Sequence, residues 1–90
     1  MAQHRIKAFY NQTEVFLDEL KVSVEDRAFM FGDAVYEVLR VYHGRPFLLA
    51  EHMARLSRSL DAMEIQGVPN LHDAILTNIT ANNVQEGMVY

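Results

Sequence analysis

Cysteine is absent from the 90 residues of this sequence, and basic side chains are scarce. Without cysteine the chain can form neither a disulfide framework nor a thiolate metal site, and we expect a protein of the reducing cytoplasm. Eight lysines and arginines stand against twelve acidic residues, which gives a formal charge of −4. Because no basic run offsets that charge, we expect no nucleic-acid partner.

Long apolar runs are missing as well. No stretch approaches the roughly 20 apolar residues that a membrane-spanning helix needs, so we expect no membrane partner. The opening MAQHRIK also lacks the apolar region of a signal peptide. What the chain does contain is globular in character, because half of its residues are hydrophobic and these include four tyrosines and five phenylalanines. Its length allows one domain.

The first third of the chain has weak β and turn signals. Residues 6–10 and 15–17 are β-prone and flank Asn11-Gln12-Thr13-Glu14, a pattern that predicts a hairpin with a four-residue loop. Ser23 then leaves two alternatives open. Either the chain continues extended, or Ser23 caps a short helical turn over residues 25–30.

The strongest strand signal covers residues 34–42, which are rich in Val, Tyr and Leu. Strand alternation places Val35, Glu37, Leu39 and Val41 on one face, and Tyr36, Val38, Arg40 and Tyr42 on the other. We expect both faces to be covered. A carboxylate on an apolar face is costly unless it is paired, so Glu37 predicts a basic partner, with Arg27 or Arg40 as candidates.

A turn and a short strand follow. His43-Gly44 is typical of a two-residue hairpin turn. Residues 45–48 then return as a strand that Pro46 restricts to an edge or a strand start, because proline has no N–H to donate.

Two helices are predicted next. The first covers residues 50–65, ends at Gly67 and has a core stripe of Met53, Leu56, Leu60 and Met63. Arg55 lies to the side of that stripe, beside His52 and Ser59.

Asn70, with Asp73 three residues on, predicts a capping box that opens the second helix. Its inner face contains Leu71, Ala74, Ile75 and Ile79, and Asn82-Asn83 stops it. The last three residues, MVY, predict the beginning of another strand. The predicted class is therefore α+β, with an antiparallel sheet and two helices packed on it.

Few residues suggest chemistry directly. The four histidines, at positions 4, 43, 52 and 72, have no ligand spacing, so no metal site is expected. No nucleophile motif is present either. Tyr36, Glu37 and Arg55 remain as candidates, although Tyr36 has a plain interpretation as an aromatic on a sheet face and Arg55 as a solvated helix residue.

Three segments carry a resemblance to a known family: Asp26-Arg27, FGDAVYEVLRVYHGRPFLL and EHMARLSRSL. In this order and spacing they resemble the N-terminal domain of fold-type IV pyridoxal-phosphate enzymes, which include D-amino-acid and branched-chain aminotransferases and aminodeoxychorismate lyase. The run VYEVLRVY is most similar to the D-amino-acid branch. Ala34 departs from the pattern, since a second glycine is common there.

The resemblance implies a cofactor and a set of site residues. Arg55 matches the arginine that binds the phosphate of pyridoxal 5'-phosphate, and Tyr36 matches the strand residue that lines the substrate pocket. Val38, two residues on along the same face, would line that pocket as well. The family's catalytic lysine lies in a larger C-terminal domain, and neither Lys7 nor Lys21 matches it. No catalytic residue is therefore expected in this chain.

The implied protein is larger than the chain. Residues 1–90 would be the small N-terminal domain of a two-domain aminotransferase, truncated before the lysine-bearing domain and inactive alone. The whole enzyme would move an amino group between an amino acid, including a D-amino acid, and a 2-oxo acid. We expect a homodimer, or self-association of the chain. A lyase of the same family and a non-catalytic binding or assembly module are the alternatives.

Overall fold

The computed structural model describes residues 5–90; residues 1–4, which include His4 and most of the opening MAQHRIK, lie outside the described residues. The fold begins with a hairpin of two antiparallel strands, β1 (Lys7–Tyr10) and β2 (Thr13–Phe16). Asn11 and Gln12 both have positive φ, 50° and 66°, which matches the twist of a two-residue turn. The hairpin is confirmed, but the predicted four-residue loop is wrong because Thr13 and Glu14 belong to β2.

The next segment has little regular structure. A single 3-10 turn, Leu17–Glu19, is followed by the five-residue helix α1 (Arg27–Phe31). The Asp26 carboxylate caps α1 by accepting a hydrogen bond from the Ala28 N–H at 2.8 Å, and Gly32 ends it at a φ of 70°. Of the two alternatives that the sequence left open, the helical turn is present, capped by Asp26 rather than Ser23.

A three-stranded antiparallel sheet forms the centre of the fold. It consists of β3 (Leu39–Tyr42), β4 (Arg45–Pro46) and β5 (Gly87–Val89), in the order β4-β3-β5. The turn at His43-Gly44 has φ values of 52° and 76°, and Pro46 lies on an edge strand, as predicted. The strand predicted over residues 34–42 begins only at Leu39, because residues 34–38 pair with no strand in the described part of the chain.

Two helices pack against this sheet, α2 (Leu49–Ala62) and α3 (Leu71–Ala81). The predicted end of α2 at Gly67 is wrong. The helix stops earlier because Glu64 takes a left-handed conformation, φ 57°, and the Ile65 N–H bonds back to the Leu60 carbonyl at 2.9 Å. The predicted capping box of α3 is also wrong, since Asn70 itself has a φ of 59° and its side chain makes no capping bond.

The core lies between β3 and α3. Leu39 and Val41 from the strand and Ile75 and Ile79 from the helix are buried together, which confirms the predicted inner faces of both elements. Five half-buried apolar residues surround them, namely Leu49, Met53, Leu71, Val84 and Val89. The opposite face of β3 carries Arg40 and Tyr42, which are exposed, so the expectation that both faces are covered is wrong for residues 5–90. The α+β class with an antiparallel sheet and two main helices is confirmed.

Asparagine side chains attach the hairpin to α3. The Lys7 N–H donates to Asn82 Oδ1 at 2.7 Å, and the Lys7 carbonyl accepts from Asn82 Nδ2 at 2.9 Å and Asn78 Nδ2 at 2.8 Å. The Asn82 amide therefore bonds β1 as a neighbouring strand would. Within residues 5–90, no helix has the length and apolar character to cross a membrane.

Candidate active site

A cluster of three polar side chains joins the segment before β3 to the first turns of α2. Glu37 lies two residues before β3, and His52 and Arg55 are three residues apart on α2. Helical positions i and i+3 are neighbours on one face, so the two side chains reach the same carboxylate. The spacing of the EHMAR segment thus creates a pair of donors, and Glu37, in the unpaired segment just before β3, reaches both of them.

The contacts between Glu37 and Arg55 are paired. Arg55 Nε donates to Glu37 Oε2 at 2.8 Å, and Arg55 Nη2 donates to Glu37 Oε1 at 2.7 Å. His52 Nδ1 lies 2.7 Å from the same Oε1. The Glu37 side chain is only 7% exposed, whereas that of Arg55 is 59% exposed. The carboxylate is therefore held by two side chains while one part of the guanidinium remains open to solvent.

These contacts determine the charge of Glu37. The hydrogen bonds from Arg55, and next those from His52, lower the pKa of Glu37 to about 2 and outweigh the opposing effect of burial. The Glu37 carboxylate in turn raises the pKa of Arg55. Because an ionised carboxylate only accepts hydrogen bonds, we assign the proton of the His52 contact to Nδ1.

The sequence predicted a basic partner for Glu37 but named the wrong arginines. Arg27 Nε instead pairs with Asp33 Oδ2 at 2.8 Å, and the Arg40 guanidinium lies 5.2 Å from the centre of the Tyr42 ring. Arg40 was excluded by strand alternation, because it lies on the face opposite Glu37. The i, i+3 spacing of His52 and Arg55 predicts that these two side chains share one face of α2, but no local signal predicts that Glu37 meets that face.

A shallow cavity opens beside Arg55. Its volume is about 230 Å³, and it is lined by Leu48, Glu51, His52, Arg55 and Arg58. The lining contains two arginines and one glutamate, so cationic side chains outnumber anionic ones there. The Nη1 atom of Arg55 makes no hydrogen bond to any residue from 5 to 90, so it is available to a ligand. The lining chemistry suits a small anion.

Tyr36 lies at a different cavity, of about 300 Å³, with a largely apolar lining that includes Leu39, Met53 and Val89. Its ring stacks on that of Tyr90, with 5.7 Å between centroids and 18° between planes. Glu37 lines this second cavity and also bonds Arg55, so it links the two sites. Val38 is half-buried and lines neither cavity.

Comparison with known proteins places the chain in a family. Residues 34–88 match the family model described as amino-transferase class IV. This chain belongs to the class IV aminotransferase family. The match includes Tyr36, Val38 and Arg55 and excludes both Lys7 and Lys21, and the predicted resemblance to this family is confirmed.

Several curated relatives align with nearly the whole class IV aminotransferase chain. A D-alanine aminotransferase of Staphylococcus haemolyticus is 37% identical over 87 residues, which cover 93% of this chain and 31% of the relative. One from Staphylococcus epidermidis is 34% identical over the same shares. One from Listeria monocytogenes is 34% identical over 88 residues, 94% of this chain and 30% of the relative. The class IV chain thus spans less than a third of the length of these relatives.

Proposed function

We propose that residues 1–90 are the N-terminal domain of a pyridoxal-phosphate-dependent aminotransferase that moves an amino group between an amino acid, D-amino acids included, and a 2-oxo acid. The observation that carries the proposal is the 34–37% identity to D-alanine aminotransferases across at least 93% of the chain. A cytoplasmic homodimer is the form proposed for the whole enzyme.

The residues beside Arg55 fit the phosphate of this cofactor. A phosphate dianion takes paired, charge-assisted hydrogen bonds from a guanidinium, and Arg55 offers its Nη1 atom at the edge of a cavity that Arg58 also lines. When bound, pyridoxal phosphate supplies the electron sink for chemistry at the α-carbon of the amino acid. Arg55 would hold and orient the cofactor without taking part in bond making.

We propose that Tyr36 and Val38 line the pocket that binds the substrate. Tyr36 is exposed and lines the apolar cavity, where its hydroxyl would donate to a substrate carboxylate. Val38 follows two residues later on the same side of the extended chain and would limit the size of the substrate side chain. Tyr36→Phe in the complete enzyme should lower kcat/KM for the amino acid while leaving cofactor affinity unchanged.

The chain by itself is proposed to be inert as a transaminase, because the reaction requires an amine that bonds the cofactor and moves the α-proton. Lys7 lies in β1 with its backbone bonded to Asn82, and Lys21 follows the 3-10 turn. Neither lysine lines the cavity beside Arg55. Borohydride trapping with peptide mapping, together with a transamination assay, tests this; stoichiometric labelling of one lysine together with turnover would disprove it.

The phosphate role of Arg55 is tested by titrating the complete enzyme with pyridoxal phosphate. Arg55→Ala should weaken binding by roughly ten- to a hundredfold, the value of hydrogen bonds to a charged group. Arg58→Ala is the matched control, since Arg58 carries the same charge at the same cavity but does not bond Glu37. If both variants lose the same cofactor affinity, the loss reflects only the removal of a positive charge. If Arg55→Ala binds the cofactor as tightly as the parent, Arg55 does not bind the phosphate.

The lyase and the binding module are separated from the aminotransferase by assays on the complete protein. Amino transfer to a 2-oxo acid supports the proposal, whereas elimination without an amino acceptor supports a lyase. A complete protein that binds no pyridoxal phosphate would favour the module.

A further inference from the structure

We propose that Glu37 is a positioning residue that fixes the Arg55 guanidinium so that its free Nη1 edge receives the phosphate of the ligand. His52 supports it through a second contact to the carboxylate, with Nδ1 2.7 Å from Glu37 Oε1. This inference rests on the phosphate role proposed for Arg55. It adds a function for an acid whose side chain is only 7% exposed and lies next to an anion site, where a negative charge is otherwise unfavourable.

A guanidinium has five N–H donors in a planar fork. The two bonds to Glu37 use Nε and Nη2 on one edge, and Nη2 also lies 3.4 Å from His52 Nδ1, whereas Nη1 makes no hydrogen bond within residues 5–90 and remains open to a ligand. A carboxylate that accepts two hydrogen bonds from one edge fixes the plane of the guanidinium and its orientation within that plane. The remaining N–H groups therefore point in a defined direction.

Arg55 is 59% exposed, and an exposed arginine loses rotamer freedom when a ligand immobilises it. The paired bonds to Glu37 restrict that freedom before any ligand arrives. Glu37 is itself fixed, because it is 7% exposed and His52 Nδ1 lies 2.7 Å from its Oε1. The orientation is therefore transmitted from His52 through Glu37 to Arg55.

Electrostatic repulsion and positioning predict opposite changes in anion affinity when Glu37 is replaced. Removing a carboxylate beside an anion site should strengthen anion binding, since like charges repel. Positioning predicts that the same change weakens binding, because the guanidinium loses its anchor. Glu51 supplies the matched control: it lines the same cavity, is exposed, and makes no side-chain hydrogen bond within residues 5–90. The direction of the change thus distinguishes the two effects.

The experiment titrates the 90-residue chain with inorganic phosphate and follows the Arg55 Nε–H resonance by nuclear magnetic resonance. Glu37→Gln should weaken phosphate binding about two- to tenfold, the value of one immobilised flexible side chain. The Arg55 Nε–H signal should also move to the position of free arginines before phosphate is added. Glu51→Gln should bind phosphate as tightly as the parent or more tightly, with an unchanged Arg55 signal.

A second variant covers the case in which Glu37→Gln does not fold. His52→Gln leaves the Glu37–Arg55 charges in place and removes the imidazole that holds the carboxylate. It should weaken phosphate binding by a smaller factor, up to about threefold. Thermal unfolding of each variant, measured first, shows that the titrations are done on folded protein.

The outcomes separate this inference from the proposed function. If Arg55→Ala weakens phosphate binding and Glu37→Gln does not, or strengthens it, the positioning role is wrong and the phosphate role of Arg55 stands. If neither variant changes the affinity, or the parent shows no phosphate-dependent shift at Arg55, both are wrong. Weakening in Glu37→Gln with the Arg55 signal unchanged would also disprove positioning.

Discussion

Residues 17–38 and residues 39–90 are both rich in apolar side chains, yet only the second region has a core. In the first region Val24 is 71% exposed and Phe29 is 70% exposed, and no residue from 5 to 38 is buried. In the second, Leu39, Val41, Ile75 and Ile79 are buried together. The difference shows that apolar composition does not create a core unless two elements present apolar faces to each other.

The periodicity of the two regions explains this difference. Residues 39–42 alternate with period two and α3 repeats at helical spacing, so each has a continuous apolar side that the other can cover. α1 has only five residues, too short to form a stripe, and residues 32–38 pair with no described strand. Glu37 is the exception in its region, because Arg55 and His52 of α2 draw it into nearly complete burial.

The largest effect should come from the core itself. Ile79→Ala removes a side chain that is 4% exposed, and it should lower the free energy of unfolding by about 2–5 kcal/mol. Leu76 lies on the same helix but is 40% exposed, so Leu76→Ala should cost less than about 1 kcal/mol. Urea unfolding followed by circular dichroism measures both. Equal losses would mean that burial does not decide which side chains of α3 stabilise the core.

A smaller effect is expected from the contact that joins the regions. The pKa of Glu37 is lowered to about 2 by Arg55 and His52, from an ordinary value of 4.5. A lowered pKa stabilises the folded state above the ordinary value, and that stability is lost as the pH falls from about 4.5 to about 2. Melting temperatures should therefore decline over this range.

Glu37→Gln is the variant that checks this dependence. Its melting temperature should be lower than that of the parent at pH 7. The two should converge as the pH falls to about 2 and below, because Glu37 of the parent then becomes protonated and loses its charge. Glu51→Gln, at an exposed carboxylate, should follow the parent throughout. A difference between Glu37→Gln and the parent that did not depend on pH would contradict the role given to the ionised carboxylate.

The smallest effect on stability should come from the exposed region. The double variant Val24→Ser, Phe29→Ser should change the unfolding free energy by no more than about 0.5 kcal/mol. It should, however, reduce self-association, which the exposed apolar side chains are expected to drive in the parent. Light scattering at increasing concentration measures this. Val68→Ser is the control, since Val68 is exposed between α2 and α3.

A parent chain that remains monomeric at high concentration would contradict the expected self-association. A double variant that unfolds readily would contradict the comparison itself, because it would mean that residues 17–38 contribute to the packed state.

Much of the fold could be predicted from local pattern. Three features depend only on residues a few positions apart: the turn at His43-Gly44, the burial of the alternate residues Leu39 and Val41, and the inner face of α3. Family membership also followed from the sequence, because the segments FGDAVYEVLRVYHGRPFLL and EHMARLSRSL keep their order and spacing within the matched residues. Helix ends were less predictable, since Glu64 ends α2 through a left-handed conformation that most residues avoid.

By itself, the sequence determined the α+β class, the inner faces of β3 and α3 and the need of Glu37 for a cationic partner. Only the tertiary structure decided which cation that is, because 18 residues separate Glu37 from Arg55 and nothing in local pattern brings α2 against the chain before β3. It also decided that Asn82 binds Lys7 across 75 residues. A side chain's own chemistry fixes what it must contact, whereas the identity of the contact depends on how distant elements pack.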